Sequence, residues 1–207
     1  MTVLVSGFGP WGGFDENPTL LVLDRLAGLP GLVTLALPVD TARLAGLVTD
    51  ALERHRPSLR LGLGLAYGSA AVAVERVATN RRDFGEPDAA GAVEHGTLVP
   101  DGPDTLEASV PAEAICDRLR AAGIPARVSE SAGGFLCNQL FYTLLHTSRG
   151  GGMRAGFLHV PAHPGLVARQ SGQRAEAPSM AVDLVAAAAH LAIEVATAPD
   201  PRPLAST

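Results

Sequence analysis

Residues 59–65 read LRLGLGL, an almost unbroken apolar run in which Arg60 is the one charged residue. A continuous apolar strand of this kind is typical of a sheet that is covered on both faces, as parallel sheets are. We therefore predict that Leu59–Leu65 is a buried strand with helices packed on either side of its sheet.

Strand and helix patterns alternate on both sides of this run. Strands are predicted at 3–6, 32–39, 71–77, 126–129 and 156–160, and helices at 17–27, 41–55, 111–122, 136–147 and 180–196. This alternation predicts an α/β protein with a mostly parallel, twisted sheet covered by helices on both faces. Residues 83–104, rich in glycine, proline and acids, are predicted as a long loop. No linker divides the chain, so we expect one catalytic domain over residues 1–198 and a C-terminal tail over 199–207.

Composition excludes several classes of partner. The formal net charge is −5 and no basic stripe is present, so a nucleic-acid partner is not expected. No apolar run approaches the roughly 20 residues that cross a bilayer, so no membrane partner is expected. Two cysteines and an N-terminus without signal-peptide features predict a cytoplasmic protein.

Cys137 is the residue that suggests chemistry. It follows the glycine-containing turn 131–135 and falls in the first turn of the helix predicted from Leu136. Free backbone N–H groups and the positive end of the helix dipole stabilise a thiolate there. A thiol in such a position is more readily ionised and nucleophilic at neutral pH. This favours a cysteine hydrolase, with the N–H groups of Gly133–Cys137 as candidates to bind an oxyanion.

His159 is the candidate base. It stands at the tip of the predicted strand 156–160, and open α/β sheets form their sites beyond the carboxyl ends of strands. We expect the turn before Cys137 to lie at the same end of the sheet. A neutral imidazole there could take the thiol proton and later donate one to a leaving amine. The alternatives are that His159 only fills the core, or that His163 takes its place.

Glu75 is the candidate third member. In the strand predicted at 71–77, the period of two places Glu75 and Arg76 on opposite faces, so Arg76 is not expected to neutralise it. A carboxylate on a largely apolar strand is costly to bury without a hydrogen-bonding partner. An imidazolium would serve, and an ion pair with a distant arginine is the alternative.

Five segments resemble the pyrrolidone-carboxyl peptidase (pyroglutamyl peptidase I) family, in matching order and spacing. They are Val5–Gly13 with Asn17–Thr19, Glu75–Asn80, Ser131–Asn138, Gly156–Pro161, and Pro178–Met180. The resemblance extends from Val3 to about Ala196.

The resemblance implies a single α/β/α sandwich and a Glu75, Cys137, His159 triad. The implied activity is removal of an N-terminal pyroglutamyl (5-oxoproline) residue from peptides, without a metal or other cofactor, by a homotetramer. Because pyroglutamate is a neutral lactam, its pocket should be apolar, with a few amide-type hydrogen bonds. The implied pocket residues are Phe8, Trp11, Asn17, Leu65, Phe135 and Leu136.

Three positions depart from the family pattern: Gly85 and Ser69 stand where the family often has arginine, and Trp11 stands where it usually has phenylalanine. Arg81 and Arg82 are candidates to reach the same space. The missing arginine motivates a second hypothesis, a non-catalytic or weakly active binder of pyroglutamyl or lactam ligands. A third, phosphate binding by Gly7–Gly13, is disfavoured because that loop lacks the usual phosphate-binding glycine motifs.

Overall fold

A computed structural model describes residues 1–149 and 152–198. Its strands are β1 (Val3–Phe8), β2 (Leu32–Leu37), β3 (Leu59–Leu65), β4 (Val72–Glu75), β5 (Val77–Thr79), β6 (Arg81–Asp83), β7 (His95–Thr97), β8 (Thr105–Glu107), β9 (Ala126–Ser129) and β10 (Arg154–Val160). Its helices are α1 (Pro18–Leu26), α2 (Thr41–His55), α3 (Ala112–Ala121), α4 (Leu136–His146), α5 (Pro164–Ala168) and α6 (Val182–Thr197), with a 3₁₀ turn at Gly172–Glu176. The tail predicted at 199–207 lies outside the described residues.

The central sheet has six strands in the order β2-β1-β3-β10-β4-β9. The first four are mutually parallel, whereas β4 runs antiparallel to β10 and β9 runs parallel to β4. Apolar side chains of α1, α3 and α6 pack against one face of the sheet, and those of α2 and α4 against the other. The predicted fold class, α/β with a mostly parallel sheet covered on both faces, is confirmed.

The two faces of β3 differ in a way that places α4. Leu59, Leu61 and Leu63 pack into the core under α1, α3 and α6. On the opposite face, a Cβ atom built at Gly62 would lie 2.4 Å from Phe157 Cδ2, and one at Gly64 would lie 2.7 Å from Cys137 Sγ. Both distances are far inside van der Waals contact. Glycine is therefore required at both positions so that α4 and the side chains of β10 can approach the strand closely.

Arg60 lies at the other end of that same face of β3 and holds the far end of α4. Its guanidinium is buried and donates hydrogen bonds to Leu144 O, at 3.2 Å, to Thr147 Oγ1, at 2.9 Å, and to Ser148 Oγ, at 2.8 Å. Burial lowers the pKa of Arg60. The negative end of a helix dipole stabilises a positive charge placed there. One strand thus fixes both ends of the helix that carries Cys137.

Several sequence predictions need correction in the region that follows β3. The strand predicted at 71–77 is two strands, because the chain changes partner at Arg76: its N–H still donates to Ser129 O of β9, whereas its C=O accepts from Ala108 N, next to β8. The predicted loop 83–104 contains β7, which pairs with β6, and β5 pairs with β8. The short helix α5 was not predicted.

Within residues 1–149 and 152–198, no helix is both long enough and apolar enough to cross a bilayer.

We predict that Gly64→Ala destabilises the protein by about 1–3 kcal/mol, because the added methyl group overpacks the contact between β3, α4 and His159. Gly46→Ala is the matched control: a Cβ at this helical position meets nothing within 4 Å. The control should be neutral or slightly stabilising, since alanine favours helix more than glycine does. Urea unfolding of both variants measures the difference, and a Gly64→Ala variant as stable as the wild type would contradict the close-approach argument.

Candidate active site

The register of three strands brings Glu75, Phe157 and His159 to the face of the sheet covered by α4. His159 pairs with Gly64 of β3, and Phe157 pairs with Glu75 of the antiparallel β4. Glu75 and His159 are therefore diagonal neighbours on one face, within reach of long side chains. Glu75 Oε1 lies 2.8 Å from His159 Nδ1. Glu75 and His159 are thus hydrogen-bonded, as the sequence suggested.

Glu75 is almost fully buried, with 1% of its surface exposed. Its second oxygen, Oε2, has no hydrogen-bond partner among the described residues. Arg76 points away, as predicted, and pairs with Glu113 and Glu130 at the surface. The imidazole of His159 is consequently the group that compensates the buried carboxylate.

Cys137 occupies the first turn of α4, as predicted. Its Sγ lies 2.7 Å, and His159 Cδ2 lies 3.1 Å, from the point where a Cβ of Gly64 would stand. The thiol and the imidazole are therefore neighbours beside Gly64. The opposite contact of the ring, through Nδ1, is the hydrogen bond with Glu75. Cys137, His159 and Glu75 thus lie together on the face of the sheet that α4 covers.

The carboxyl-end rule that pointed to His159 does not account for Cys137. The strand before the cysteine turn, β9, runs opposite to β10, so its carboxyl end points to the other end of the sheet. Residues 130–135 return the chain to the level of Gly64, so Cys137 does lie beside His159. The expected position was right, but the carboxyl end of β9 does not explain it, because β4 and β9 run against the other four strands.

The pKa of His159 is raised from 6.5 to about 10. Burial alone would lower it, because desolvation disfavours the charged ring. The neighbouring Cys137 opposes the effect of burial, and the hydrogen bond and charge of Glu75 add to it. The protonated form of the His159 ring is therefore favoured at neutral pH.

The backbone around Cys137 offers donors for a developing oxyanion. Phe135, the residue before α4, makes no capping bond through its side chain, and the first amides of any helix lack intrahelical acceptors. The N–H groups of Leu136 and Cys137 belong to this set. Gly133, also predicted as a donor, is not suitable because its N–H donates to Ser131 Oγ at 3.2 Å.

Cys137 opens into a cavity of about 180 Å³. All six residues predicted for the pocket line it, namely Phe8, Trp11, Asn17, Leu65, Phe135 and Leu136. In the part of the chain that the structure describes, no acidic or basic side chain lines the cavity. Arg81 and Arg82 do not reach it; they pair with Asp83 and Glu94.

Asn17 supplies an amide group to the cavity wall. Its Oδ1 accepts from Thr19 N and Thr19 Oγ1, and its Nδ2 donates to Gly9 O at 3.2 Å. An amide nitrogen has two hydrogens, so one donor remains for a ligand.

Three further lining residues, Phe14, Val39 and Tyr67, were missed from the sequence. They follow the carboxyl ends of β1, β2 and β3, the parallel strands to which the carboxyl-end rule does apply. That rule was the signal that could have found them.

No group of three or more histidine, cysteine, aspartate or glutamate side chains in residues 1–149 and 152–198 is arranged to hold a metal ion. A buried carboxylate hydrogen-bonded to an imidazole, with a thiol beside the ring, on an α/β scaffold is typical of a cysteine peptidase.

Comparison with known proteins narrows this class. The family model for pyroglutamyl peptidase matches residues 1–198. The chain is 37% identical over 198 residues to a pyrrolidone-carboxylate peptidase of Vibrio parahaemolyticus, covering 93% of this chain and 91% of that protein. The solved pyrrolidone carboxyl peptidase of Thermococcus litoralis superposes with a TM-score of 0.88 at 33% identity, covering 94% and 92% of the two chains. A mutant enzyme of Pyrococcus furiosus gives a TM-score of 0.90 at 35% identity, with 95% and 98% covered. The chain belongs to the pyroglutamyl peptidase family of cysteine peptidases.

We predict that the His159 ring titrates near pH 10, and that Cys137→Ser lowers this pKa more than Glu75→Gln does. The sign follows from the causes: each variant removes a negative group that favours the protonated ring, and Cys137 is the larger contributor. NMR titration of isotope-labelled histidine measures all three proteins. A wild-type ring that titrates near 6.5, or a Cys137→Ser variant with an unchanged value, would contradict the ion pair.

Proposed function

We propose that this chain is a cysteine exopeptidase that removes an N-terminal pyroglutamyl residue from peptides, with Cys137, His159 and Glu75 as its triad. The observation that carries the proposal is the hydrogen-bonded Glu75–His159 pair beside Cys137, whose thiol lines an uncharged, largely apolar cavity. Family membership supports the same activity.

In the first half-reaction, Cys137 Sγ attacks the carbonyl carbon of the pyroglutamyl residue and forms a tetrahedral intermediate. The N–H groups of Leu136 and Cys137 stabilise its oxyanion; losing one such donor typically costs about 100- to 1,000-fold in rate. His159 then gives its proton to the leaving amine as the C–N bond breaks, which leaves a thioester.

In the second half-reaction, His159 takes a proton from water, and the resulting hydroxide attacks the thioester carbonyl. Pyroglutamate leaves, and the thiolate–imidazolium pair is restored. Glu75 acts throughout by holding the ring with Nδ1 toward itself and by stabilising the imidazolium.

The cavity supports selection of a lactam over an ordinary N-terminus. Phe8 and Trp11 present apolar ring faces, and the free hydrogen of Asn17 Nδ2 suits a lactam carbonyl. An N-terminal glutamate or proline would bring an ammonium group into a wall without carboxylates, where burying a charge is costly. A site that bonds the lactam carbonyl can reject an analogue without it by as much as about 10⁴-fold.

Because the chain departs from the family pattern at Gly85 and Ser69, an experiment has to distinguish a peptidase from a protein that only binds pyroglutamyl ligands. A protein that is stabilised by pyroglutamyl ligands in a thermal melt, yet shows no hydrolysis under reducing conditions, would be a binder.

We infer further that the chain acts in the cytoplasm as a homotetramer. Both cysteines, Cys116 and Cys137, are free thiols, which suits a reducing compartment. The tetramer rests on the resemblance to the family, and light scattering of the purified protein tests it, with a monomeric mass as the contradicting result.

We predict that Cys137→Ala lowers kcat/KM for a pyroglutamyl peptide by at least about 1,000-fold, because the nucleophile and its intermediate are lost. Cys116→Ala is the matched control; Cys116 is buried against the opposite face of the sheet, so its loss should leave activity close to wild type. Release of pyroglutamate, followed by chromatography, is the measurement. Retained turnover in Cys137→Ala would refute the proposed mechanism.

A further inference from the structure

The cavity beside Cys137 has two sides that belong to different apolar clusters. One, the Trp11 side, consists of Phe8, Trp11 and Phe135 and packs with the cluster under α2 and α4. The other, the Tyr67 side, consists of Phe14, Leu65 and Tyr67 and packs with Ala162, Leu166 and Val167 around α5. The cavity lies between these two clusters.

The aromatic rings of the Tyr67 side are held in place by contacts with other parts of the chain. The rings of Phe14 and Tyr67 stack with centroids 4.9 Å apart and planes 26° apart. The Tyr67 hydroxyl donates to Arg174 O, and the Arg174 guanidinium lies over the Phe14 ring, 5.2 Å from its centroid. Three separate segments of the chain therefore hold these two rings in place, so a ligand that packs on them need not order them first.

A peptide substrate has to use both sides of the nucleophile. The acyl group and the amine group lie on opposite sides of the bond to be cleaved, and that bond must sit beside Cys137 Sγ. If the lactam occupies the Trp11 side, as the proposed function requires, the residue after it is directed to the Tyr67 side.

We propose that Phe14 and Tyr67 bind the side chain of the residue that follows the pyroglutamyl group and select for aromatic and large apolar residues. This rests on the proposed function. Both rings line the cavity with apolar surface, none of the described residues that line it is a carboxylate, and aromatic pairs are favoured beyond the area they bury. The positive charge of Arg174 beside Phe14 disfavours a basic side chain. Apolar contacts of this size discriminate by about 10- to 200-fold.

The test compares kcat/KM for three substrates, the amides of pyroglutamyl-phenylalanine, pyroglutamyl-alanine and pyroglutamyl-lysine. In the wild type, we expect the phenylalanine substrate to exceed the alanine substrate by about 10-fold or more, and lysine to be the poorest. Tyr67→Ala should bring the phenylalanine-to-alanine ratio to about 3 or below. Tyr67→Phe keeps the ring and removes only the hydroxyl, so it should retain the wild-type preference.

Phe14→Ala provides a second variant from a different loop, with the same expected loss of preference. An unchanged ratio in Tyr67→Ala and Phe14→Ala would overturn the proposal. So would an equal loss for all three substrates, because it would place the lactam itself on these rings. A wild type that cleaves none of the substrates would instead refute the proposed function, and the two failures are thereby distinguishable.

Discussion

The close approach of α4 to β3 is the constraint on which the site depends. A helix can come this near to a strand only where the strand has no side chains, and Gly62 and Gly64 provide that gap. Arg60, on the same face, holds the opposite end of the helix through Leu144 O and two hydroxyls. The thiol therefore reaches His159 because β3 has glycines beside the first turn of α4 and an arginine that binds the last turn of that helix. Gly62 and Gly64 carry no chemistry themselves, yet without them the sulfur and the ring could not occupy their present positions.

Electrostatics then determine the state in which these groups rest. A buried carboxylate such as Glu75 is expensive unless a partner compensates it, and burial by itself would favour a neutral imidazole. The neighbouring Cys137 and Glu75 outweigh that effect, which is why the pKa of the ring rises instead of falling. The buried carboxylate and the protonated ring stabilise each other through their hydrogen bond. In the proposed mechanism, the proton of this ring is the one delivered to the leaving amine.

Strongly periodic segments could be predicted from sequence, and short polar ones could not. The bounds of β3, β9 and α2 agree with the prediction, since each has a clear apolar pattern and a sharp end. Strands β6 and β7 have three residues each and are mostly exposed, so no apolar pattern marked them. Cys137 and the six predicted pocket residues line one cavity, and Glu75 and His159 lie next to it. These residues could be named from sequence because they stand in segments that resemble family motifs. Phe14 and Tyr67 lay outside those motifs, and an aromatic residue in a turn has no periodic signal of its own.

The substitutions at Gly85 and Ser69 show how the chain departs from its family without disturbing Glu75. Ser69 closes the turn before β4 through its hydroxyl, which accepts from Ala71 N and donates to Ala71 O. A side chain at Gly85 would begin in open space, so glycine there leaves no packing defect. Glu75 and His159 lie on strands of the packed sheet and Cys137 lies on helix α4, whereas Ser69 and Gly85 lie in loops. Loops can therefore alter what the cavity accepts while the sheet keeps the reacting groups aligned.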